Sequence, residues 1–117
     1  LVWITKRYNA TIVMTENGSA EYEPDLAIGL EDHARKEYFE KYIHACGKAI
    51  DKGVDLRGYF AWSLMDNFEW QLGYTKRFGM CYVDYATLER TPKLSAKWYQ
   101  GTITANGQNL YQAQMEK

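Results

Sequence analysis

No apolar run in this sequence reaches the roughly 18 residues that a membrane-spanning helix needs, so no membrane partner is expected. Charge of either sign is not in excess. Fourteen basic residues face 15 acidic ones, which leaves no electrostatic case for a nucleic acid or an anionic bilayer. Cysteine is scarce: Cys46 and Cys81 stand alone, at no metal-ligand spacing, and neither a metal nor a cofactor is expected. The two read as buried thiols of a reducing compartment, hence a cytoplasmic location, with a single disulfide as the alternative. Internal repeats and low-complexity segments are lacking. No secretory leader is visible, but the sequence does not open on Met, so its true N-terminus is expected to lie outside it. The 117 residues allow one domain or part of one.

Aromatics, by contrast, are plentiful, with four Trp and ten Tyr. They concentrate in Gly58-Tyr59-Phe60-Ala61-Trp62-Ser63-Leu64-Met65-Asp66-Asn67-Phe68-Glu69-Trp70. The first half, Gly58 to Leu64, is apolar almost throughout and suits a strand buried on both faces of a parallel sheet. Carboxylates then appear among rings, at Asp66 and Glu69 beside Phe68 and Trp70. That mixture suits a sugar, whose apolar face packs on a ring while its hydroxyls donate to carboxylate oxygens. A core strand followed by an ordinary amphipathic loop is the competing reading.

The remaining chain supplies the setting. Leu1 to Tyr8 reads as the end of a helix already under way, with Lys6 and Arg7 in its last turn and Asn9 as C-cap. A chain opening inside a helix is the first sign of a fragment. Thr11 to Thr15 is a β-branched strand stopped by Glu16-Asn17-Gly18, which puts Glu16 at a strand's C-terminal end. Ser19 to Leu30 reads as a loop. A long helix then begins at Glu31 or Asp32 and runs to about Asp51, with Phe39, Tyr42, Ile43, Cys46, Ala49 and Ile50 on one face. Gly73 to Asp84 reads as a loop or hairpin turning at Arg77-Phe78-Gly79. Thr91 as N-cap and Pro92 at the first helical position start a last helix that Gly101 stops. After Asn106 the pattern is weak. Helix, strand, helix, strand in that order argues for parallel β/α units.

Val13-Met14-Thr15-Glu16-Asn17-Gly18 resembles the nucleophile motif of glycoside hydrolase family 1, the β-glucosidases and their relatives. Trp62-Ser63-Leu64-Met65-Asp66-Asn67-Phe68-Glu69-Trp70 resembles that family's sugar-binding strand end. Gly73 to Gly79, Tyr82-Val83-Asp84 and Arg90-Thr91-Pro92-Lys93 continue in family order. The resemblance implies an α/β fold, the C-terminal quarter of a (β/α)8 barrel of the TIM type: strand seven, helix seven, strand eight and helix eight. Such a barrel needs about 250 residues, so residues 1–117 are expected to be a C-terminal fragment of one glycosidase domain. Its partner would be the remaining N-terminal part of the barrel.

The resemblance also implies roles. Glu16 would be the nucleophile of a retaining mechanism, and Trp62 the platform beneath the sugar. Glu69 would accept hydrogen bonds from two adjacent hydroxyls, Trp70 would donate its indole N–H, and Phe78 would wall the pocket. The substrate would be a β-glucoside or related small saccharide. Nothing in the sequence matches the family's acid/base motif, so the chain alone is expected to be inactive. Gln71-Leu72 departs from the small or acidic residues common before Gly73, which bears on aglycone preference. The alternatives are a non-catalytic carbohydrate-binding piece and a structural half of a split barrel.

Overall fold

A computed structural model describes residues 1–108; the weakly patterned tail falls mostly outside the described residues. Helix α1 (Val2–Tyr8) ends on Asn9 in a left-handed conformation, whose N–H returns to Thr5 O. The chain then enters strand β1 (Ile12–Asn17). The segment expected to be loop contains a short helix, α2 (Leu26–Leu30), which Asp25 caps by accepting from Ile28 N. Helix α3 (His33–Asp51) follows and carries the chain back to strand β2 (Leu56–Ala61).

Strands β1 and β2 are parallel neighbours, with Met14 beside Tyr59 and Asn17 beside Ala61. The ladder extends one residue further, where Trp62 N donates to Asn17 O at 2.7 Å. Glu16 and Trp62 therefore leave the sheet at the same end. Helix α3 packs on this pair: Cys46 Sγ lies 3.4 Å from Met14 Sδ. Both cysteines are free thiols.

The buried face of α3 is not quite the one expected. Arg35, Phe39, Cys46 and Ala49 are buried, whereas Tyr42 and Ile50 are exposed. Phe39 meets Tyr99 of helix α4 (Leu94–Thr104), and Tyr42 stacks on Tyr38 at the surface.

Two local signals near the C-terminal part are overridden by tertiary pairing. Residues 77–79 are no hairpin tip. Arg77 pairs its backbone with Glu21, and strand β3 (Cys81–Val83) pairs antiparallel with strand β4 (Arg90–Pro92). Thr91 and Pro92 thus belong to a strand, and α4 starts two residues later with Lys93 at the cap position. Gly101 does not stop α4, which continues to Thr104. One interior Gly costs only about 1 kcal/mol relative to Ala.

Candidate functional site

Glu16, Asn17, Gly18, Tyr38, Trp62, Glu69 and Phe78 line one concavity of about 370 Å³ at the C-terminal ends of β1 and β2. Each side chain has a traceable support. Glu16 is the fifth residue of β1 and is exposed. Its neighbour Asn17 is clamped from two sides, accepting from Tyr59 Oη at 2.6 Å and donating to Tyr38 Oη at 3.2 Å. Burial, then the adjacent Tyr42, hold the Tyr38 phenol above its ordinary value, so it is a neutral group beside Glu16.

Gly18 explains how the two strand ends come so close. A Cβ there would lie 1.7 Å from the Trp62 carbonyl oxygen, so no other residue fits without moving the backbone. The Trp62–Ser63 peptide is cis. Ser63 N donates to Phe78 O at 3.1 Å, and Met80 N donates back to Ser63 O at 2.9 Å. Those two bonds bring Phe78 to the Trp62 side of the concavity.

Glu69 enters through a tight turn. Its N–H donates to Gly73 O at 2.7 Å, and its carbonyl accepts from Leu72 N at 2.8 Å. A single 3-10 turn over Trp70–Leu72 results. Trp70 takes a positive φ of 42° there and is 79% exposed. Of the five expected site residues, then, Glu16, Trp62, Glu69 and Phe78 share the concavity. Trp70 does not line it, because the turn carries its indole outward.

Below the concavity lies a cluster that the sequence reasoning missed. Glu23, Asp32 and Asp66 face Arg35, Arg77 and Lys93, all buried. Arg35 Nη1 reaches Glu23 Oε1 and Asp32 Oδ2 at 2.7 Å each. Arg77 Nη1 reaches Asp66 Oδ2 at 2.6 Å, and Lys93 Nζ lies 2.5 Å from Glu23 and 3.2 Å from Asp66. Three carboxylates balance three cations, and backbone groups take up the remaining capacity. Gly79 N and Val83 N both donate to Asp66. Arg77 also lies over the rings of Tyr82 and Tyr85. Burial opposes the charge of Arg35, but Glu23 and Asp32 outweigh it and hold the guanidinium above its ordinary value. Glu21, at the edge of this cluster, is pushed up by burial, against the pull of Arg35.

The chain's other carboxylates near the site, Glu21, Glu23 and Asp66, are poor candidates for the missing acid, since none lines the concavity. Glu23 and Asp66 are committed to cations rather than to the concavity. One signal for it was available: Arg35 falls four residues before Phe39 on the same helical face, and a charge in an apolar stripe needs a buried partner. Among the described residues no cluster of His, Cys, Asp or Glu could hold a metal ion, and no helix is long and apolar enough to cross a membrane.

A family profile described as glycosyl hydrolase family 1 matches residues 1–108. The chain is 51% identical over 104 residues to β-glucosidase 47 of Arabidopsis thaliana, covering 88% of this chain and 19% of that protein. It is 47% identical over 102 residues to β-glucosidase 26 of Oryza sativa subsp. japonica, covering 86% and 20%. Among solved structures, it superposes on a β-glucosidase from Thermotoga maritima in complex with noeuromycin with a TM-score of 0.84 at 42% identity, covering 91% of this chain and 26% of that one. A β-glucosidase from the fungus Humicola insolens in complex with glucose gives 0.84 at 44% identity, covering 89% and 23%. The chain thus spans about a fifth of the length of the curated relatives it matches.

Proposed function

The chain belongs to glycosyl hydrolase family 1, and from that membership we propose that it forms part of a retaining β-glycosidase acting on terminal non-reducing β-D-glucosyl residues. Its βα units are those of a (β/α)8 fold. We place them in the last quarter of the barrel, completed by a preceding N-terminal part. The single observation that carries the reading is the meeting of Glu16, Trp62, Glu69 and Phe78 in one concavity beyond the ends of two parallel strands. In β/α barrels that end is where chemistry is done.

In this reading the Glu16 carboxylate attacks the anomeric carbon. The C–O bond to the leaving group breaks, and a glycosyl ester forms on Glu16. A carboxylic acid from the remainder of the barrel, roughly 5–5.5 Å from Glu16, protonates the departing oxygen and later activates the water that cleaves the ester. Trp62 offers a ring face to the apolar face of the sugar, and Phe78 excludes water from one side. Glu69 accepts from two hydroxyls, as a carboxylate can. Trp70, one residue beyond, is the proposed rim donor. The complexes with glucose and noeuromycin formed by two structural relatives support a saccharide as ligand.

Glu16→Gln in the complete barrel tests the assignment. The amide keeps the shape and cannot attack, so turnover of an aryl β-glucoside should vanish while binding of a glucose-like inhibitor persists. Turnover that survives the substitution would reject Glu16 as nucleophile.

A further inference from the structure

Glu69 is half-buried at the wall of the concavity, and among the described residues no ion pair holds it. Its Oε2 instead accepts from Asn67 Nδ2 at 3.0 Å. The other end of that amide, Asn67 Oδ1, lies 3.0 Å from Ser63 Oγ, and Ser63 Oγ lies 2.7 Å from Met65 O. Ser63 is buried and sits directly after Trp62. The orientation of the amide follows from its neighbours. An ionised carboxylate only accepts, so the Asn67 NH2 must face Glu69. Asn67 Oδ1 is then left to the Ser63 hydroxyl, whose single proton is shared between Asn67 and Met65.

We infer that Asn67 is a positioning residue for Glu69: its amide, oriented by Ser63, aims the carboxylate at the sugar hydroxyls. The inference rests on the reading of Glu69 as a sugar-binding group. It divides the labour within one short motif. Asp66 turns inward and ties the segment to Arg77 and Lys93, while Asn67 turns toward the concavity. The chain from Trp62 through Ser63 and Asn67 to Glu69 links the platform to the acceptor through two side-chain hydrogen bonds. A neutral donor suits this task. It fixes one oxygen without neutralising the carboxylate, whose second oxygen remains free to accept from the ligand.

Three variants of the complete barrel, assayed on an aryl β-glucoside across pH, test this. Asn67→Ala should lower kcat/KM by about tenfold to a hundredfold, the size expected for a hydrogen bond to a charged group. Asn67→Asp keeps the side-chain shape, so the test does not depend on how the alanine variant folds. It sets a second carboxyl about 3 Å from Glu69, and such a pair holds one proton to higher pH than either alone. While the proton is held, the introduced carboxyl would donate to Glu69 as the amide does. The titratable groups facing the same concavity are Glu16 and Tyr38, and both are common to parent and variant. Asn67→Asp should therefore approach parental activity at low pH and lose it as pH rises, ahead of the parent enzyme. A profile parallel to the parent's would overturn the inference. So would an unaltered kcat/KM in Asn67→Ala alongside a severe loss in Glu69→Ala, with the sugar-site reading left standing. A harmless Glu69→Ala would remove that reading and the inference with it.

Discussion

Lys93 and Glu23, 70 residues apart in the chain, meet at 2.5 Å with both side chains buried. Lys93 opens α4 and Glu23 lies in the segment after β1, so the contact ties that segment to the start of the last helix. Lys93→Met keeps most of the side-chain volume but leaves three buried carboxylates against two cations. Removing one partner of a buried pair costs about 3–5 kcal/mol. Denaturation of the complete barrel should show a loss of that order. Adding Glu23→Gln should recover part of it, because the charge imbalance is then gone.

Gly18→Ala should be as disruptive at the site as its size is small. Its Cβ would need the space occupied by the Trp62 carbonyl. The backbone must part there, and Trp62 moves relative to Glu16. Misplacement by about 1 Å can cost a hundredfold in rate. A fall of that order in kcat/KM, larger than the accompanying loss in thermal midpoint would explain, is the expected outcome.

Asp84→Asn probes the turn between β3 and β4. Asp84 accepts from the N–H groups of Thr87 and Ala86, which hold its carboxyl below the ordinary value. A carboxyl lowered on folding stabilises above its unfolded pKa, and the contribution fades as pH falls through the folded one. The thermal midpoint of Asp84→Asn should thus lie below the parent's at neutral pH and converge with it in acid.

Residues 1–117 alone should not hydrolyse glycosides. Glu16 can supply the nucleophile, but Glu23 and Asp66 are locked to cations and Glu21 does not line the concavity. The pair β1–β2 also leaves outer edges unpaired and Phe60 59% exposed among the described residues. Assay of an aryl β-glucoside should show activity only after the remaining barrel is added as a second chain. Turnover by the 117 residues alone, lost on Glu16→Gln, would require an acid within them.

Much of this was legible in the sequence wherever local pattern and tertiary placement agreed. The β-branched run at Ile12-Val13, the long helix and the aromatic strand all form, the two strands in parallel, although the aromatic strand runs from Leu56 to Ala61 rather than from Gly58 to Leu64 and leaves Phe60 exposed. Legibility failed where a distant partner decides. Thr91-Pro92 carries a sound local signal for a helix start, yet Thr91 pairs with Tyr82. Arg77 reads locally as a turn residue because its carboxylate partner, Asp66, stands 11 positions earlier, within the aromatic stretch that follows β2. Trp70, which the resemblance paired with Glu69, takes a positive φ and stays exposed outside the concavity, a local turn geometry that the motif does not spell out.

Asp32 stands at the start of α3, yet its side chain does not cap that helix. It accepts from Ser95 N at 2.8 Å and from Ser95 Oγ at 2.5 Å, at the start of α4. One carboxylate therefore rivets the first turns of both helices together. Tyr38, within the second turn of α3, lines the concavity, so the riveted end is the one nearest the candidate site. Damage to that rivet is therefore expected to reach the site sooner than damage at the far ends of the two helices, Asp51 and Thr104.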